Sequence, residues 1–590
     1  MRPLPAPRRG QRGIVLIALL AVLLLGSSWL LLSKLNVSAS ERVAAKRERN
    51  AAVLNLAKQA LIGYVVQDAN EAEEKNPGHL PCPENAGDFD NADGRQGLGG
   101  INCGSTIRVG RFPWKTLGLD KLVDADGEPL WYVLSPNWGL DTGAGVYSYI
   151  NSNSVGNLTV DGVANAAVAL IIAPGAALNA TTSSGCTAWN QTRSLTGPPD
   201  WRNYLECDNA TSPADVSFIT TGPSGAVFND QVVVVKVEDI MPGLEAAIAN
   251  RIQREIVPAL NTVYTPGTWG LTGSNPLYPF AVPFDAPGPG AGSSSYKGAL
   301  GTYQGLFPFN QTQGCTVTAS NPRCVDDLLT LSKGSGDTQT GGAGSIRTDS
   351  TCSLVSNLYT CTGTYNQPSI YLDVKIKIAN VAMGLRALNT TNKVTCGSAN
   401  DVSGGWTPQT MTCSITDVSL QPDGSAVVTI SAGPTTDINA AGWGSYANYT
   451  VTLDPTVIVD HGLLDSTIGL TGWFFRNDWF RFTYYAVAQG ATTGAATFPS
   501  TSCTTNGSGS AACLSIASND PANPVSPPGG QRAILVLAGR SLSTQSRPAI
   551  GSSALTDYLE AGNTTGAYER RKVARSVTIF NDRVVVVGSN

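Results

Sequence analysis

Histidine is almost absent from this sequence. Only His79 and His461 occur, and neither has neighbouring cysteines with zinc-ligand spacing, so a zinc centre is not expected. A Ser-His-Asp triad would depend on His461, which follows Asp460 and precedes Ser466, but a surface turn is the simpler interpretation of that segment. The H-E-x-x-H, G-x-S-x-G, Walker A and Rossmann patterns are also missing. The sequence therefore favours a protein that is not an enzyme, although distant carboxylates of a hydrolase can converge in a fold.

An excess of charge is lacking as well. The chain has 39 basic and 44 acidic residues, and charged residues make up only 14% of it. Recognition of DNA or RNA needs a basic surface, so nucleic acid is not an expected partner. The 63 glycines and 35 prolines indicate turn-rich β structure, and the length of 590 residues indicates more than one domain.

No C-x-x-C motif is present among the twelve cysteines, which all follow the apolar N-terminal segment. An even number with local spacing favours structural disulfides in an oxidising compartment over redox or zinc chemistry. Pairing between sequence neighbours is the preferred connectivity, and reduced, buried thiols are the alternative. The neighbouring pairs are Cys82 and Cys103, Cys186 and Cys207, Cys315 and Cys324, Cys352 and Cys361, Cys396 and Cys413, and Cys503 and Cys513.

The longest apolar run extends from Ile14 to Leu32 without a charged residue. At about 1.5 Å per residue, such a helix is long enough to cross a hydrocarbon core of roughly 30 Å. Four arginines precede it, which by the positive-inside rule keeps residues 1–13 in the cytoplasm and exports the rest. The sequence thus predicts a single-pass inner-membrane protein with its head in the periplasm or at the cell surface. A cleaved secretory signal with small residues at 38–40 is the alternative.

The segment after this run predicts an amphipathic helix over residues 34–75. Leu54, Ala57, Leu61 and Val65 recur at helical spacing and give the second half one apolar face. This half is expected to pack into the head. A membrane-proximal stalk is the simpler reading of the same pattern.

The junction of leader and apolar run resembles a known processing site. Arg12-Gly13 followed by Ile14 and three more apolar residues is similar to the prepilin peptidase site of type IV pilins and type II secretion pseudopilins. The resemblance implies cleavage after Gly13, which makes Ile14 the mature N-terminus. The family usually has glutamate where this chain has Ala18, and its loss resembles minor pilins and tip pseudopilins.

Two further stretches carry the same resemblance, which covers roughly residues 12–135. Residues 58–64 followed by 77–83 resemble the end of the spine helix in minor-pilin-like proteins, and residues 124–132 resemble a turn and strand of pseudopilin heads. The family implies a structural role in a type IV pilus or type II secretion filament, or in adhesion. The implied partners are the inner membrane, other pilin-like subunits, their assembly machinery and a surface ligand.

Calcium is the one cofactor for which the sequence offers ligands. Asp88, Asp90, Asn91 and Asp93 crowd oxygen atoms into a short loop before Gly94, although their spacing differs from that of an EF-hand. A solvated turn closed by the neighbouring cysteines is the alternative.

An internal repeat organises the head. The apolar run at 167–173 recurs at 533–539, residues 203–206 recur at 557–560, and residues 228–231, which precede a row of valines, recur at 580–583. The offset is 352 to 354 residues for the last two matches and about 364 for the first, which favours duplication with loop insertions. Residues 477–487 resemble the strand at 131–133 in the same way.

Together these features predict an α+β fold. An N-terminal transmembrane helix (14–33) continues into an amphipathic helix (34–75) and a large β-rich, disulfide-containing head. We expect a first head module at 76–236, an amphipathic helix and linker at 237–300 that covers the first sheet, an antiparallel β insert at 301–465, and a second module at 466–590. The leading hypothesis is a membrane-anchored minor or tip pilin; the alternatives are a tethered binding protein without a filament role and an anchored hydrolase.

Overall fold

The structure is a computed structural model that describes part of the chain. The described residues are 12–72, 76–84, 94–96, 103, 108–139, 149–180, 186–187, 189–193, 201–210, 216–222, 227–263, 278, 280–284, 301–308, 351–356, 358–366, 372–378, 386–388, 390–401, 408–420, 426–434, 446–454, 457–460, 472–489, 513–519, 521, 524–525, 528–547, 554–573 and 579–589.

The first element is α1, a single α-helix over Arg12–Asn70 that contains no proline. Its second half buries the apolar face that the sequence pattern predicts, because Leu54, Ala57, Leu61 and Val65 lie on one side and are almost fully buried. Within the described residues, no helix was found to combine the length and the apolar character that crossing a membrane requires.

The chain divides into two units. Unit 1 consists of Met1–Tyr64, Leu80–Ser148 and Val155–Val237, and unit 2 consists of Val65–His79, Tyr149–Ser154 and Glu238–Asn590.

Unit 1 is built around a four-stranded antiparallel sheet with the order β1-β2-β5-β9. Smaller sheets join β3 to β4 and β8, and β6 to β7. The strands are β1 Arg108–Arg111, β2 Trp131–Leu134, β3 Leu158–Val160, β4 Val163–Ala167, β5 Ala169–Ala173, β6 Asn179–Ala180, β7 Trp189–Asn190, β8 Ser217–Phe218 and β9 Gln231–Val235. All five residues of β5 are buried, which explains why this strand is a continuous apolar run rather than an alternating one.

The main helical segment of unit 2 consists of α2 (Val237–Arg251), a π-helix (Ile252–Ile256) and α3 (Val257–Val263). The backbone N–H of Val257 donates to the carbonyl of Ile252, five residues back. Pro258 accounts for this irregularity, because a proline has no N–H and its ring would clash with the carbonyl four residues earlier. The remaining α-helix of the described residues is α4 (Gly472–Arg476), and short 3-10 helices span Trp201–Asn203, Cys207–Ala210, Trp479–Phe482, Leu555–Asp557 and Ala561–Thr564.

The sheet next to this helical segment also has four antiparallel strands, in the order β10-β21-β23-β25. An eight-stranded sheet, with the path β11-β12-β19-β16-β17-β18-β13 and β15 beside β19, lies between β10 and β21 in the chain. The strands are β10 Gln304–Leu306, β11 Thr351–Val355, β12 Leu358–Asn366, β13 Leu372–Ile378, β14 Arg386–Leu388, β15 Val394–Cys396, β16 Ser398–Asp401, β17 Gln409–Leu420, β18 Ala426–Pro434, β19 Tyr446–Leu453, β20 Ile458–Asp460, β21 Thr483–Val487, β22 Ala517–Ser518, β23 Gln531–Leu537, β24 Glu569–Arg570 and β25 Arg583–Ser589.

The insert has its own apolar core. One face of its strands supplies Tyr359, Val374, Ile376, Val428 and Ile430, all nearly fully buried. Alternate residues of the same strands are threonine, serine and lysine, so the strands follow the period of two that an antiparallel sheet with one solvated face requires.

The predicted α+β class with a disulfide-containing head is confirmed in this coarse form. The amphipathic helix at 237–264, which we expected to cover the first sheet, belongs from Glu238 onward to unit 2, which contains the second sheet. Asn261 Nδ2 donates to the carbonyl of Val587 at 3.1 Å, and Arg583 Nη2 donates to the carbonyl of Pro242 at 2.7 Å. Both contacts join the helical segment to β25, a pairing that helical periodicity alone does not reveal.

Candidate functional site

The N-terminal part of α1 exposes apolar side chains. The predicted processing residues Gly13 and Ile14, and also Ala18, lie in the first turns of the helix, and their side chains are outside the described part. From Leu19 to Trp29, seven large apolar side chains are 55 to 71% exposed. Because they are nearly consecutive, they cover all faces of the helix rather than one stripe.

Contacts between α1 and the rest of unit 1 begin after this stretch. Residues 41–49 are exposed, and the ammonium of Lys46 forms an ion pair with Asp126. Asn50 is the first buried polar residue among the helix side chains that the structure describes, and its Oδ1 accepts the backbone N–H of Ala125 at 2.6 Å. Eight residues later, Lys58 Nζ donates to the carbonyl of Val234 on β9 at 3.0 Å. The helix is therefore tied to both a turn and an edge strand.

The turn that receives Asn50 is the one that resembles pseudopilin heads. Asp124 is fully buried, and its Oδ1 accepts the backbone N–H groups of Asp126 and Glu128 at 2.8 and 2.9 Å. Its Oδ2 accepts the N–H of Gly175 at 2.8 Å. Gly127 has a φ of +90°, which favours glycine at this position of the turn. One carboxylate thus fixes the turn on which the helix rests.

Disulfide formation is confirmed, and the structure joins Cys82 to Cys103, Cys186 to Cys207 and Cys396 to Cys413. These three bonds follow the pairing of sequence neighbours. Cys361 and Cys513 are also disulfide-bonded. Within the described residues, no cysteine is free.

The other residues singled out in the sequence contribute little to a site. The predicted calcium ligands Asp88, Asp90, Asn91 and Asp93 lie outside the described residues, as does His461. His79 is buried, with its Nδ1 at 2.5 Å from the carbonyl oxygen of Asn76. Among the described residues, no group of three or more His, Cys, Asp or Glu side chains is arranged to hold a metal ion.

A buried polar network in unit 1 centres on Glu206. Its Oε1 accepts from Gln191 Nε2 at 2.7 Å, and its Oε2 accepts the backbone N–H groups of Asn229 and Asp230 at 3.0 and 3.1 Å. In return, Asp230 Oδ2 accepts the N–H of Glu206 at 3.2 Å and Asn209 Nδ2 at 3.0 Å. The two acidic side chains therefore bind each other's backbone and close the loop before β9.

An arginine and a glycine complete this network. Arg193 donates to the carbonyls of Asn203 and Gly175, each at 2.9 Å, and its guanidinium lies 4.7 Å from the ring centre of Tyr204. A Cβ atom on Gly175 would come within 2.9 Å of the Asn229 side chain, so the close approach requires glycine.

Unit 2 contains the same network before β25. Glu560 Oε1 accepts from Gln545 Nε2 at 2.9 Å, and its Oε2 accepts the backbone N–H groups of Asn581 and Asp582 at 2.9 and 3.1 Å. Asp582 Oδ2 accepts the N–H of Glu560 at 2.8 Å and Asn563 Nδ2 at 3.0 Å. Each donor and acceptor atom matches its counterpart in unit 1.

The arginine and the glycine recur too. Arg547 donates to the carbonyls of Gly539 and Asp557 and lies 5.1 Å from the ring centre of Tyr558. A Cβ atom on Gly539 would come within 2.4 Å of the Asn581 side chain. In both units, therefore, close contact with an asparagine side chain excludes any residue larger than glycine at this position.

The strands carry a matching aromatic pair. In unit 1, Phe112 meets Tyr132 edge to face with ring centres 5.9 Å apart, and in unit 2, Phe307 meets Tyr485 edge to face at 6.3 Å. Both tyrosines are fully buried, and burial raises the pKa of each phenol well above its ordinary value. The same kind of buried aromatic contact therefore occurs in both units.

Sequence reasoning did not identify the glutamine and the arginine of each network, although the sequence contains a signal for them. Gln191-Thr-Arg193 matches Gln545-Ser-Arg547 at the same offset of 354 residues that relates residues 203–206 to 557–560. A three-residue match in a loop is weak alone, but the shared offset places it within the repeat.

A second buried cluster lies at the π-helix of unit 2. Arg251 Nε donates to Glu255 at 3.0 Å, and its guanidinium lies 4.3 Å from the ring centre of Trp473, whose Nε1 donates to Glu255 at 2.6 Å. Arg251 Nη2 also donates to the carbonyl of Ala72, and Arg254 Nη2 donates to the carbonyl of the last residue of α1. Both arginines thus stabilise the carbonyl end of that helix.

The electrostatics of the two networks are those of structural carboxyl pairs. Burial raises the pKa of Asp230 and Asp582 well above the ordinary value, and the neighbouring Glu206 or Glu560 raises it further. Burial also raises the pKa of Glu206. The acidic groups accept hydrogen bonds from backbone and amide donors, so their arrangement holds loops in place.

Comparison with known proteins returned no match to a family model, to a curated protein or to a solved structure.

Proposed function

We propose that this chain is a membrane-anchored, pilin-like structural protein that acts as a minor or tip subunit of a type IV pilus or type II secretion filament. The observation that carries the proposal is the division of α1 into an N-terminal stretch with exposed apolar side chains and a C-terminal half packed into a head. A helix that is apolar on all faces needs a non-aqueous environment, which a lipid bilayer or the core of a helical filament supplies.

The attachment of α1 to unit 1 supports a load-bearing role for the helix. Asn50 binds the turn at Ala125, Lys58 binds the edge strand at Val234, and a row of buried apolar residues lies between and beyond them. Force applied along the helix would reach the sheet through these contacts. The size of the head favours a terminal or accessory position over a repeating one.

Mass spectrometry of the mature N-terminus tests the proposal directly. The expected product begins at Ile14 with an N-methyl group, because the resemblance at Arg12-Gly13 implies prepilin peptidase processing. A Gly13→Val variant should retain the leader, whereas an Arg9→Ala variant should be processed normally. A mature protein that keeps Met1 would refute the pilin assignment.

A charged residue in the exposed apolar stretch tests the anchor separately. Leu23→Arg should move the protein from the membrane fraction to the soluble fraction, since a charge at the centre of a spanning helix costs about 2.5–3.5 kcal/mol. Arg47→Glu, in the exposed polar stretch that follows, is the matched control and should leave the distribution unchanged. Equal membrane association of both variants would show that this stretch is not the anchor.

Deletion of the gene separates a filament role from tethering alone. Loss or shortening of surface filaments, or loss of their adhesion, would support the minor or tip role. Normal filaments with normal adhesion would favour the tethered binding protein, which Ala18 also permits because the family's glutamate is missing there.

A further inference from the structure

Each carboxyl network leaves the same aspartate oxygen unsatisfied, and the side-chain oxygen of the preceding asparagine is unsatisfied in both units as well. In unit 1, donors reach Glu206 Oε1, Glu206 Oε2 and Asp230 Oδ2. Asp230 Oδ1 has no hydrogen-bond partner, although the residue is only 5% exposed. An unsatisfied buried carboxylate oxygen is costly, so a donor is expected at this position.

The same atom is unsatisfied in unit 2. Asp582 Oδ1 has no hydrogen-bond partner, and the residue is only 1% exposed. The backbone and amide donors of this network bind the other three oxygen atoms of Glu560 and Asp582. A missing donor in one network could be accidental, but its recurrence at the corresponding atom indicates a common cause.

Each acidic side chain also accepts the backbone N–H of the other, Glu206 with Asp230 and Glu560 with Asp582, so the two carboxyl groups of a pair are held close together. Two buried carboxylates at close range repel each other, and a proton on one of them removes the repulsion. That proton would supply the missing donor.

Among the described residues, no basic side chain was found in an ion pair with Glu206 or Asp230. Arg193 faces the network, but it donates to two carbonyls and forms an ion pair with Glu128 at 3.8 Å. The charge of Arg111 acts to lower the pKa of Tyr204. Asp208, on the adjacent 3-10 turn at Cys207–Ala210, adds a further negative charge on that side.

The surroundings in unit 2 are similar. Arg547 is the basic group that acts on Glu560, yet its hydrogen bonds go to carbonyls and to an amide oxygen. Arg571 is engaged by Glu569 at 2.8 Å, and Arg583 donates to a backbone carbonyl of α2. None of these described cations forms an ion pair with Asp582.

We propose that each Glu-Asp pair binds a single proton, Glu206 with Asp230 and Glu560 with Asp582, and that loss of these protons as pH rises opens the loops that precede β9 and β25. The raised pKa of both aspartates agrees with this assignment. Because the folded pKa lies above the unfolded value, the contribution to stability is complete below the unfolded pKa. It is lost as pH rises through the folded pKa.

Asparagine substitution provides the test, because it replaces the shared proton with a permanent amide donor. Asp230→Asn and Asp582→Asn are compared with the unchanged full chain by hydrogen exchange with mass spectrometry, from about pH 6 to about pH 10, corrected for intrinsic exchange. In the unchanged chain, opening of the peptides that cover residues 227–235 and 579–589 should increase by up to about tenfold per pH unit above the pKa of the pair. Each variant should abolish this dependence in its own unit and leave it in the other.

Asp208→Asn is the matched control, since it removes a charge from the same turn without changing the pair. It should leave the pH dependence of unit 1 unchanged. An equal pH dependence in the asparagine variants and the unchanged chain would overturn the proposal.

Infrared spectroscopy gives a second measurement that does not need the asparagine variants to fold. A protonated carboxyl absorption should disappear as the loops open, and it should remain in the Glu245→Gln variant, which removes another buried acid with a raised pKa. Absence of this absorption below the transition in Glu245→Gln would overturn the proposal. A bound cation is the competing explanation, and stabilisation at alkaline pH by added calcium that is reversed by a chelator would also overturn it.

Discussion

Glu245 on α2 offers a test near neutral pH that is independent of the carboxyl pairs. The side chain is only 2% exposed, and its Oε1 accepts from Ser152 Oγ at 3.1 Å. Burial raises its pKa to about 7, while Arg583, Ser152, Arg540 and Arg547 act in the opposite direction without cancelling the effect of burial. Glu245 is therefore largely neutral at mildly acidic pH and becomes charged as pH rises above neutrality.

The sign and size of the effect follow from this pKa. The folded value of about 7 exceeds the ordinary value of 4.5, so the contribution to stability is complete below pH 4.5 and is lost as pH rises through about 7. A difference of this size between folded and unfolded pKa corresponds to about 3 kcal/mol of unfolding free energy. Unit 2 should thus be less stable at mildly alkaline pH than at mildly acidic pH.

Glu245→Gln isolates this contribution. The amide remains neutral and keeps an oxygen that can accept from Ser152, so the variant should lose the decline in stability between about pH 5 and about pH 8. Urea unfolding of the purified full chain, followed by hydrogen exchange of the α2 peptides, measures the difference at each pH. Ser152→Ala should move the midpoint of the decline to higher pH, because the serine hydroxyl favours the charged form of Glu245.

Glu238→Gln is the matched control, because Glu238 lies on the same helix with its side chain 65% exposed. This variant should keep the pH dependence of the unchanged chain. Parallel stability curves for Glu245→Gln and the unchanged chain would refute the reasoning and show that the site tolerates the charge.

Three further substitutions test separate contacts. Asn50→Ala should destabilise unit 1 by about 0.5–1.5 kcal/mol in urea unfolding, because the half-buried N–H of Ala125 loses its acceptor. Ala561→Gly should stabilise unit 2 by up to about 1–2 kcal/mol and raise its melting temperature, since this alanine has a φ of +48°. Trp473→Phe should destabilise unit 2 by about 1–3 kcal/mol, because the Nε1 bond to the buried Glu255 is lost.

Each of these has an outcome that would contradict it. Arg49→Ala, at an exposed neighbour of Asn50, is the control for the first, and equal effects at both positions would argue against the contact with the turn. A destabilising Ala561→Gly would show that the conformation at this residue is not strained. An unchanged stability in Trp473→Phe would indicate that Arg251 and Arg254 together satisfy Glu255.

Local sequence patterns predicted individual helices and strands better than the contacts between them. The spacing of Leu54, Ala57, Leu61 and Val65 predicted the buried face of α1, because helical periodicity is a property of neighbouring residues. The pairing of the amphipathic helix at 237–264 with β25 was not accessible in this way. It depends on Asn261 meeting a carbonyl 326 residues later in the chain.

The carboxyl networks were likewise predictable from the sequence only in part. Residues 203–206 and 557–560 stand out by their likeness to each other, so the repeat drew attention to Glu206 and Glu560. Nothing in the local sequence shows that each glutamate accepts the backbone N–H groups of a loop more than 20 residues later. Burial, which raises the pKa of the partner aspartates, is a property of the folded chain alone.

The disulfide between Cys186 and Cys207 distinguishes the two otherwise matching networks. Cys207 has a φ of +52° at the start of its 3-10 turn, and the corresponding residue of unit 2 is Ala561 with a φ of +48°. The turn in unit 1 is thus cross-linked only after oxidation, whereas its counterpart in unit 2 forms by hydrogen bonding alone. A mild reductant should therefore loosen the turn at Cys207 and spare the turn at Ala561, so two turns of the same geometry should differ in their response to reduction.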